Sequence, residues 1–121
     1  MSRQKGDQIE LQVELYLQQQ GLHPIQRNFS AACGEIDLIM QHNKTLVFIE
    51  VRYRRTALYG SAAESVNFRK QQRLCKTATL FLQQNPRYQS TPCRFDVAAC
   101  HPDNSAGTLD IEWLQSAFDA Y

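Results

Sequence analysis

Three acidic side chains stand where acids are costly to place. Asp37 interrupts the apolar run from Ile36 to Met40, and Glu50 closes the run Leu46-Val47-Phe48-Ile49. Arg52 follows two positions later, and a strand's period of two puts Leu46, Phe48, Glu50 and Arg52 on one face. Glu10 precedes Val13 and Leu17 at helical spacing, so it lies at the apolar face of its segment rather than opposite it. A carboxylate in such a place needs a partner or a cation. Two strand carboxylates joined by a third from a helix make a hard, oxygen-rich site, suited to Mg²⁺ or Mn²⁺ rather than zinc. Such an ion polarises a phosphodiester and lowers the pKa of an attacking water, while a neighbouring cation stabilises the charge building on phosphorus. The same residues could equally form structural ion pairs, Glu50 with Arg52 or Asp37 with an arginine. Spacing alone leaves both readings open.

The charge distribution bears on which partner such a site would meet. The net charge is only +1, yet from Arg52 to Arg94 nine basic residues face a single acid, Glu64. The acids gather instead at Asp7, Glu10, Glu14, Glu35, Asp37 and Glu50, and again from Asp103 onward. A basic segment beside an acidic one suits a phosphate-binding protein with a carboxylate centre. A solvated helix face would look the same, so the basic run points to nucleic acid only in company with the acids.

These residues need elements to position them. Apolar spacing predicts a helix over about Gln4 to Gln20, with Ile9, Val13, Tyr16 and Leu17 as its stripe and Leu11 and Leu15 widening it. Gly21 closes this helix and Pro24 follows. A short strand is expected over Ile25 to Phe29, and a clearer one over Gly34 to Met40, where Ile36, Leu38 and Met40 alternate with Glu35, Asp37 and Ile39. The turn His42-Asn43-Lys44 leads to a strand over Thr45 to Tyr53, whose continuous apolar centre suits burial on both faces. So short a turn predicts an antiparallel hairpin. Arg54 to Val66 reads as a loop, and Asn67 as the N-cap of a helix to about Gln84, burying Leu74, Ala78, Phe81 and Leu82. Cys93 to Cys100, with Phe95, Val97 and Ala99 on one face, reads as a strand. A last strand carries Leu109, Ile111 and Trp113. The order α-β-β-β-α-β-β implies an α/β fold, a mixed sheet flanked by two helices.

The 121 residues suffice for one domain spanning 1–121. No apolar run approaches the roughly 20 residues of a membrane helix. The polar start Met1-Ser2-Arg3-Gln4-Lys5-Gly6-Asp7 is unlike a signal peptide. A cytoplasmic protein without a membrane partner is expected. Cys33, Cys75, Cys93 and Cys100 form no CxxC pair and do not cluster with His23, His42 and His101, so reduced structural thiols are expected rather than a zinc site.

Three stretches carry a resemblance: Gly34-Glu35-Ile36-Asp37-Leu38-Ile39, Val47-Phe48-Ile49-Glu50-Val51-Arg52-Tyr53-Arg54, and Arg94-Phe95-Asp96-Val97. Together they resemble the bacterial YraN-like family, related in pattern to the PD-(D/E)XK nucleases and especially to archaeal Holliday-junction resolvases. The likeness runs from Gly6 to Phe118, and Lys70, with Leu74, Ala78 and Leu82 after it, also fits. The resemblance implies a restriction-endonuclease-like fold. It places the motif's helical acid on Glu10, its hairpin acid on Asp37 and its strand acid on Glu50. The motif's lysine falls on Arg52, a departure, because arginine keeps the charge but cannot serve as a general base near neutral pH.

The reading that follows is a metal-dependent endonuclease acting on branched or otherwise structured DNA. Glu10, Asp37 and Glu50 would hold Mg²⁺ or Mn²⁺, with Asp37, Glu50 and Arg52 as the catalytic set. Arg54, Arg55, Lys70 and Arg73 would hold the flanking backbone through phosphates, since no base-reading motif is visible. Resolvase-like chemistry on two symmetric strands would suit a homodimer. The alternative is a nucleic-acid-binding module of the same fold that does not cleave, which the arginine at position 52 favours. A protein-interaction domain, with the acids as ion pairs, is the third.

Overall fold

The computed structural model describes residues 3–54, 66–103 and 108–119. Helix α1 (Arg3–Gln19) precedes β1 (Leu22–Ala31), β2 (Gly34–His42) and β3 (Thr45–Tyr53). Then come α2 (Phe68–Gln84), a 3-10 turn (Pro86–Tyr88), β4 (Cys93–Pro102) and β5 (Leu109–Phe118). The five strands form one sheet in the order β1-β2-β3-β4-β5. Neighbours run antiparallel except β3 and β4, which are parallel and joined through α2. This is the mixed α/β sheet with two helices that the element order implies. The hairpin of β2 and β3 turns at Asn43, whose φ of 57° is one that Asn tolerates better than most residues.

The helices cover opposite faces. Ile9, Val13 and Leu17 of α1 pack with Leu38, Met40, Val47, Ile49, Ala98 and Cys100. Leu74, Cys75, Ala78 and Phe81 of α2 pack with Ile39, Leu46, Phe48, Phe95 and Val97. Strand β3 therefore feeds both cores, as its unbroken apolar run requires. At the end of α1, Gly21 (φ 99°) donates its N–H to Gln18 O, and Asn67 caps α2 by accepting from Lys70 N–H.

Three expectations need correcting. Leu11 and Leu15 do not widen the buried stripe of α1: they are 41% and 51% exposed. Each lies two positions from a buried residue, about 200° around a helix, so burying Ile9 and Val13 turns them outward. Strand β1 is longer than the five residues expected, because it pairs along its length with β2 and absorbs Pro24 at a register shift before Gln26. Ile36 does not share a face with Leu38 and Met40: it joins the core under α2, while they join that under α1. The alternation breaks at Asp37. On β4, Ala98 and Cys100 fill the α1 side, so Ala99 shares the face of Phe95 and Val97 as expected, where it is half-buried.

The motif residue Asp96 is fully buried and serves the sheet. Its carboxylate accepts from Arg94 Nε (3.0 and 3.2 Å), Trp113 Nε1 (2.9 Å) and the Ser116 N–H (2.9 Å), and Arg94 Nη2 lies 2.8 Å from His42 Nδ1. These contacts tie β5 to β4 where their register shifts between Phe95 and Val97. The four cysteines are free, and burial pushes the Cys100 thiol up to about 12. Asp96→Ala would strand the Arg94 guanidinium and two further donors. Urea unfolding should show a loss of about 3–5 kcal/mol, the cost of breaking a buried pair from one side. A loss under about 1 kcal/mol would mean that water replaces the carboxylate.

Candidate functional site

The ladder between β2 and β3 runs from His42–Thr45 to Leu38–Ile49. Beyond it the Val51 N–H donates to Asp37 Oδ2 at 2.8 Å, so a side chain stands where a ladder carbonyl would otherwise accept. Glu10, from α1, and Glu35, two positions along β2, bring carboxylate oxygens within 4.8 Å of one another and of Asp37. Glu35 and Asp37 also line an open cleft of about 270 Å³, together with Glu50, Gly34, Lys70, Arg73 and Leu74.

Glu50 has the parity of Leu46 and Phe48, which face α2, and it is 6% exposed. Its Oε1 is 2.8 Å from Lys70 Nζ and 3.9 Å from Arg52 Nη1. The first turn of α2 thus supplies the nearer cation. The close seating of α2 depends on Gly34, where a Cβ would stand 3.0 Å from Thr77 Oγ1 and 3.6 Å from Arg73 Cβ. Thr77 Oγ1 itself is held by donating to Arg73 O at 2.7 Å.

Burial and crowding set the protonation of the acids. Burial raises the Asp37 carboxyl, and the charges of Glu50, Glu10 and Glu35 raise it further against the lowering effect of the Val51 N–H, bringing it to about 8. Burial also raises Glu10, with Glu35 and Asp7 adding to it and contacts to Asn28 and Asp37 opposing. Glu10 Oε1 is buried and has no hydrogen-bond partner. An orphaned carboxylate oxygen beside two further carboxylates, all hard donors, fits a divalent cation that prefers oxygen.

Glu10 and Asp37 come together with Glu35 as the compact third member, while Glu50, whose charge acts on Asp37 more strongly than that of Glu10, lines the same cleft as Asp37 and pairs with Lys70. Glu35 is not among the expected ligands, although the same period of two that groups Glu50 with Arg52 sets it beside Asp37. Lys70 is expected only to hold the backbone, although it precedes the buried Leu74 by one helical turn and shares its face. Arg73 lines the cleft as well, and Arg54 is exposed just past β3, its N–H donating to Cys100 O at 2.9 Å. Arg55 lies outside the described residues.

Residues 9–100 match the model of the Uncharacterised protein family UPF0102. A UPF0102 protein of Pseudomonas savastanoi pv. phaseolicola is 48% identical over 120 residues, covering 98% of this chain and 95% of that one. One from Pseudomonas aeruginosa is 44% identical over 119 residues, covering 98% and 95%. One from Saccharophagus degradans is 48% identical over 113 residues, covering 93% and 91%. The chain belongs to UPF0102. That is the YraN-like group its motif stretches resemble. The matched span of UPF0102 includes Glu10, Glu35, Asp37, Glu50, Lys70 and Arg73.

The raised Asp37 has a measurable consequence. The folded protein keeps a proton that an unfolded aspartate releases near pH 4, so this group's contribution is full below that pH and is lost as pH rises to about 8. Asp37→Asn removes the titration. Without divalent metal, the variant's melting temperature should gain on wild type between pH 5 and pH 8. Its lead at pH 8 should be roughly 3–5 °C, about 1 kcal/mol in a domain of this size. A gap that stays constant or narrows over that window would mean that Asp37 is ionised throughout.

Proposed function

We propose that the protein is a divalent-metal-dependent endonuclease that hydrolyses phosphodiester bonds in structured or branched DNA. The observation that carries this reading is the orphaned Glu10 Oε1 set against Asp37 and Glu35, in a cluster that burial and mutual repulsion hold short of full ionisation. Such a cluster is costly in isolation and favourable around a cation. Glu10, Asp37 and Glu35 would hold Mg²⁺ or Mn²⁺, with Glu50 at the border of the same cleft. The bound ion would polarise the phosphodiester and lower the pKa of an attacking water.

The rest of the site suits a polyanion. Lys70 and Arg73 line the cleft, and Arg69 and Lys76 stand exposed on α2 without an acid anywhere in that helix. Together with Arg54 and Arg52 they would grip the backbone on either side of the scissile phosphate. Such contacts read charge and shape, not bases, which suits a branched substrate better than a fixed sequence. A symmetric dimer acting on two strands in the cytoplasm completes the reading. No helix among the described residues is long and apolar enough to cross a membrane.

The second reading is a nucleic-acid-binding module that does not cleave. It is favoured by one contact, Lys70 on Glu50, which neutralises a buried acid without any metal.

The test is incubation of the purified chain with four-way junction, flap, single-stranded and linear duplex DNA, in Mg²⁺, Mn²⁺ or EDTA. Cleavage of the structured substrates in metal, abolished by EDTA, by Asp37→Asn and by Glu50→Gln, is the expected result. Metal-independent cleavage would sink the metal-dependent reading. DNA binding without cleavage would leave the module. Affinity should fall steeply with salt, and each of Arg54, Lys70 and Arg73 made alanine should lower the log–log salt slope by about 1. Binding indifferent to salt would exclude a phosphate-led interface.

A further inference from the structure

We propose that Lys70, delivered from α2, is the phosphate-facing cation of this site, and that it serves as the counter-ion of Glu50 until metal and substrate arrive. The inference rests on the metal-dependent reading above and specifies how that site is completed.

The distances set Lys70 apart from Arg52. Its ammonium is 2.8 Å from Glu50 Oε1, within charge-assisted hydrogen-bonding range, whereas Arg52 Nη1 at 3.9 Å is not. Glu50 and Arg52 share a face, but two residues of strand separate their Cα atoms by about 6.6 Å. Lys70 instead comes across from the helix covering that face. Its backbone is fixed on both sides: its N–H donates to the Asn67 cap at 2.9 Å, and Gln71 Nε2 donates to Val66 O at 2.9 Å. The Lys70 side chain is 37% exposed where that of Glu50 is 7%, and both line the open cleft. Arg73, one turn further along α2, lines the same cleft.

The two roles follow from one charge. Without metal, Lys70 is the nearer of the two cations that offset the buried Glu50 carboxylate. In the reaction a water oxygen forms a bond to phosphorus, and the phosphorus–oxygen bond to the leaving nucleoside breaks, its electron pair going to that oxygen. The water's two protons are then shared out, one to the leaving oxygen and the other to the new phosphate or to solvent. Lys70 faces the non-bridging oxygens as negative charge grows on them. The arginine at position 52 is then no sign of a dead site, because the lysine enters from a different element.

The experiment compares full-length wild type, Lys70→Gln, Lys70→Arg and Arg52→Gln, all checked for folding by circular dichroism. Mn²⁺ binding is measured by calorimetry, and single-turnover cleavage of a four-way junction at saturating Mn²⁺. Lys70→Gln should bind Mn²⁺ tighter by roughly 3–10-fold, because a like charge has left the site. It should also cleave at least about 100-fold more slowly. Lys70→Arg should keep the wild-type Mn²⁺ affinity and at least about a tenth of the rate, while Arg52→Gln loses no more than about tenfold. Unchanged or weaker Mn²⁺ affinity in Lys70→Gln, or a larger rate loss in Arg52→Gln than in Lys70→Gln, overturns the role of Lys70 and leaves the nuclease reading standing. A wild type that neither binds Mn²⁺ nor cuts overturns the nuclease reading, and this inference falls with it.

Discussion

The Val51 N–H donates to the carboxylate of Asp37 at 2.8 Å, just past the last ladder pair of β2 and β3. An unpaired N–H buried at the end of a central strand would be costly, and Asp37 satisfies it with a side chain. The first four residues of β2 are thereby released from the pairing that the rest of the strand keeps with β3. Ile36 can enter the core under α2 while Leu38 and Met40 fill the core under α1. Glu35, also released, lies beside Asp37 and Glu10. One hydrogen bond thus opens the sheet at the place where the acids meet.

That opening has a cost, and its location explains why it is tolerated. Four carboxylates crowd a partly buried region, and Asp37 responds by holding its proton up to about 8. A protein selected for stability alone would place apolar residues there. By contrast, Asp96, fully buried in the same sheet, accepts on both its oxygens from Arg94, Trp113 and Ser116. The two sites share a chemistry and differ in satisfaction. Complete pairing belongs to the joint between β4 and β5, and incomplete pairing to the junction around Asp37. Orphaned atoms and raised carboxyls mark functional sites more often than structural ones.

Most of the architecture is legible in the sequence because it rests on local signals. The bounds of β3, the hairpin to β2, the Asn67 cap and the glycine ending α1 each follow from a few adjacent residues. What is not legible depends on which of several equal options tertiary contact selects. Leu11 and Leu15 are as apolar as Ile9 and Val13, and only the seating of α1 decides which pair is buried. The break in β2 is invisible because Asp37 looks like an ordinary polar position until the Val51 N–H finds it. Glu35 was readable by period two, yet it appears as the solvent-facing partner of an alternating strand. Lys70 lies twenty positions from Glu50, and no spacing rule joins a helix's first turn to a strand so far away in sequence.

Where the cations stand relative to the acids gives the site its direction. Glu10 joins Glu35 and Asp37 from α1, while Lys70 and Arg73 come from α2 to the cleft that Glu35, Asp37 and Glu50 line. On the proposed function, a polyanion approaching this cleft would be drawn by the basic face of α2. A small dication would be drawn to the orphaned oxygen of Glu10 and its neighbours. Each would improve the site for the other: a dication would lower the repulsion that the carboxylates present to a phosphate, and a phosphate would supply oxygens that complete a dication's shell. Binding coupled in this way is reciprocal by linkage, so metal and backbone would each be held more tightly in the presence of the other.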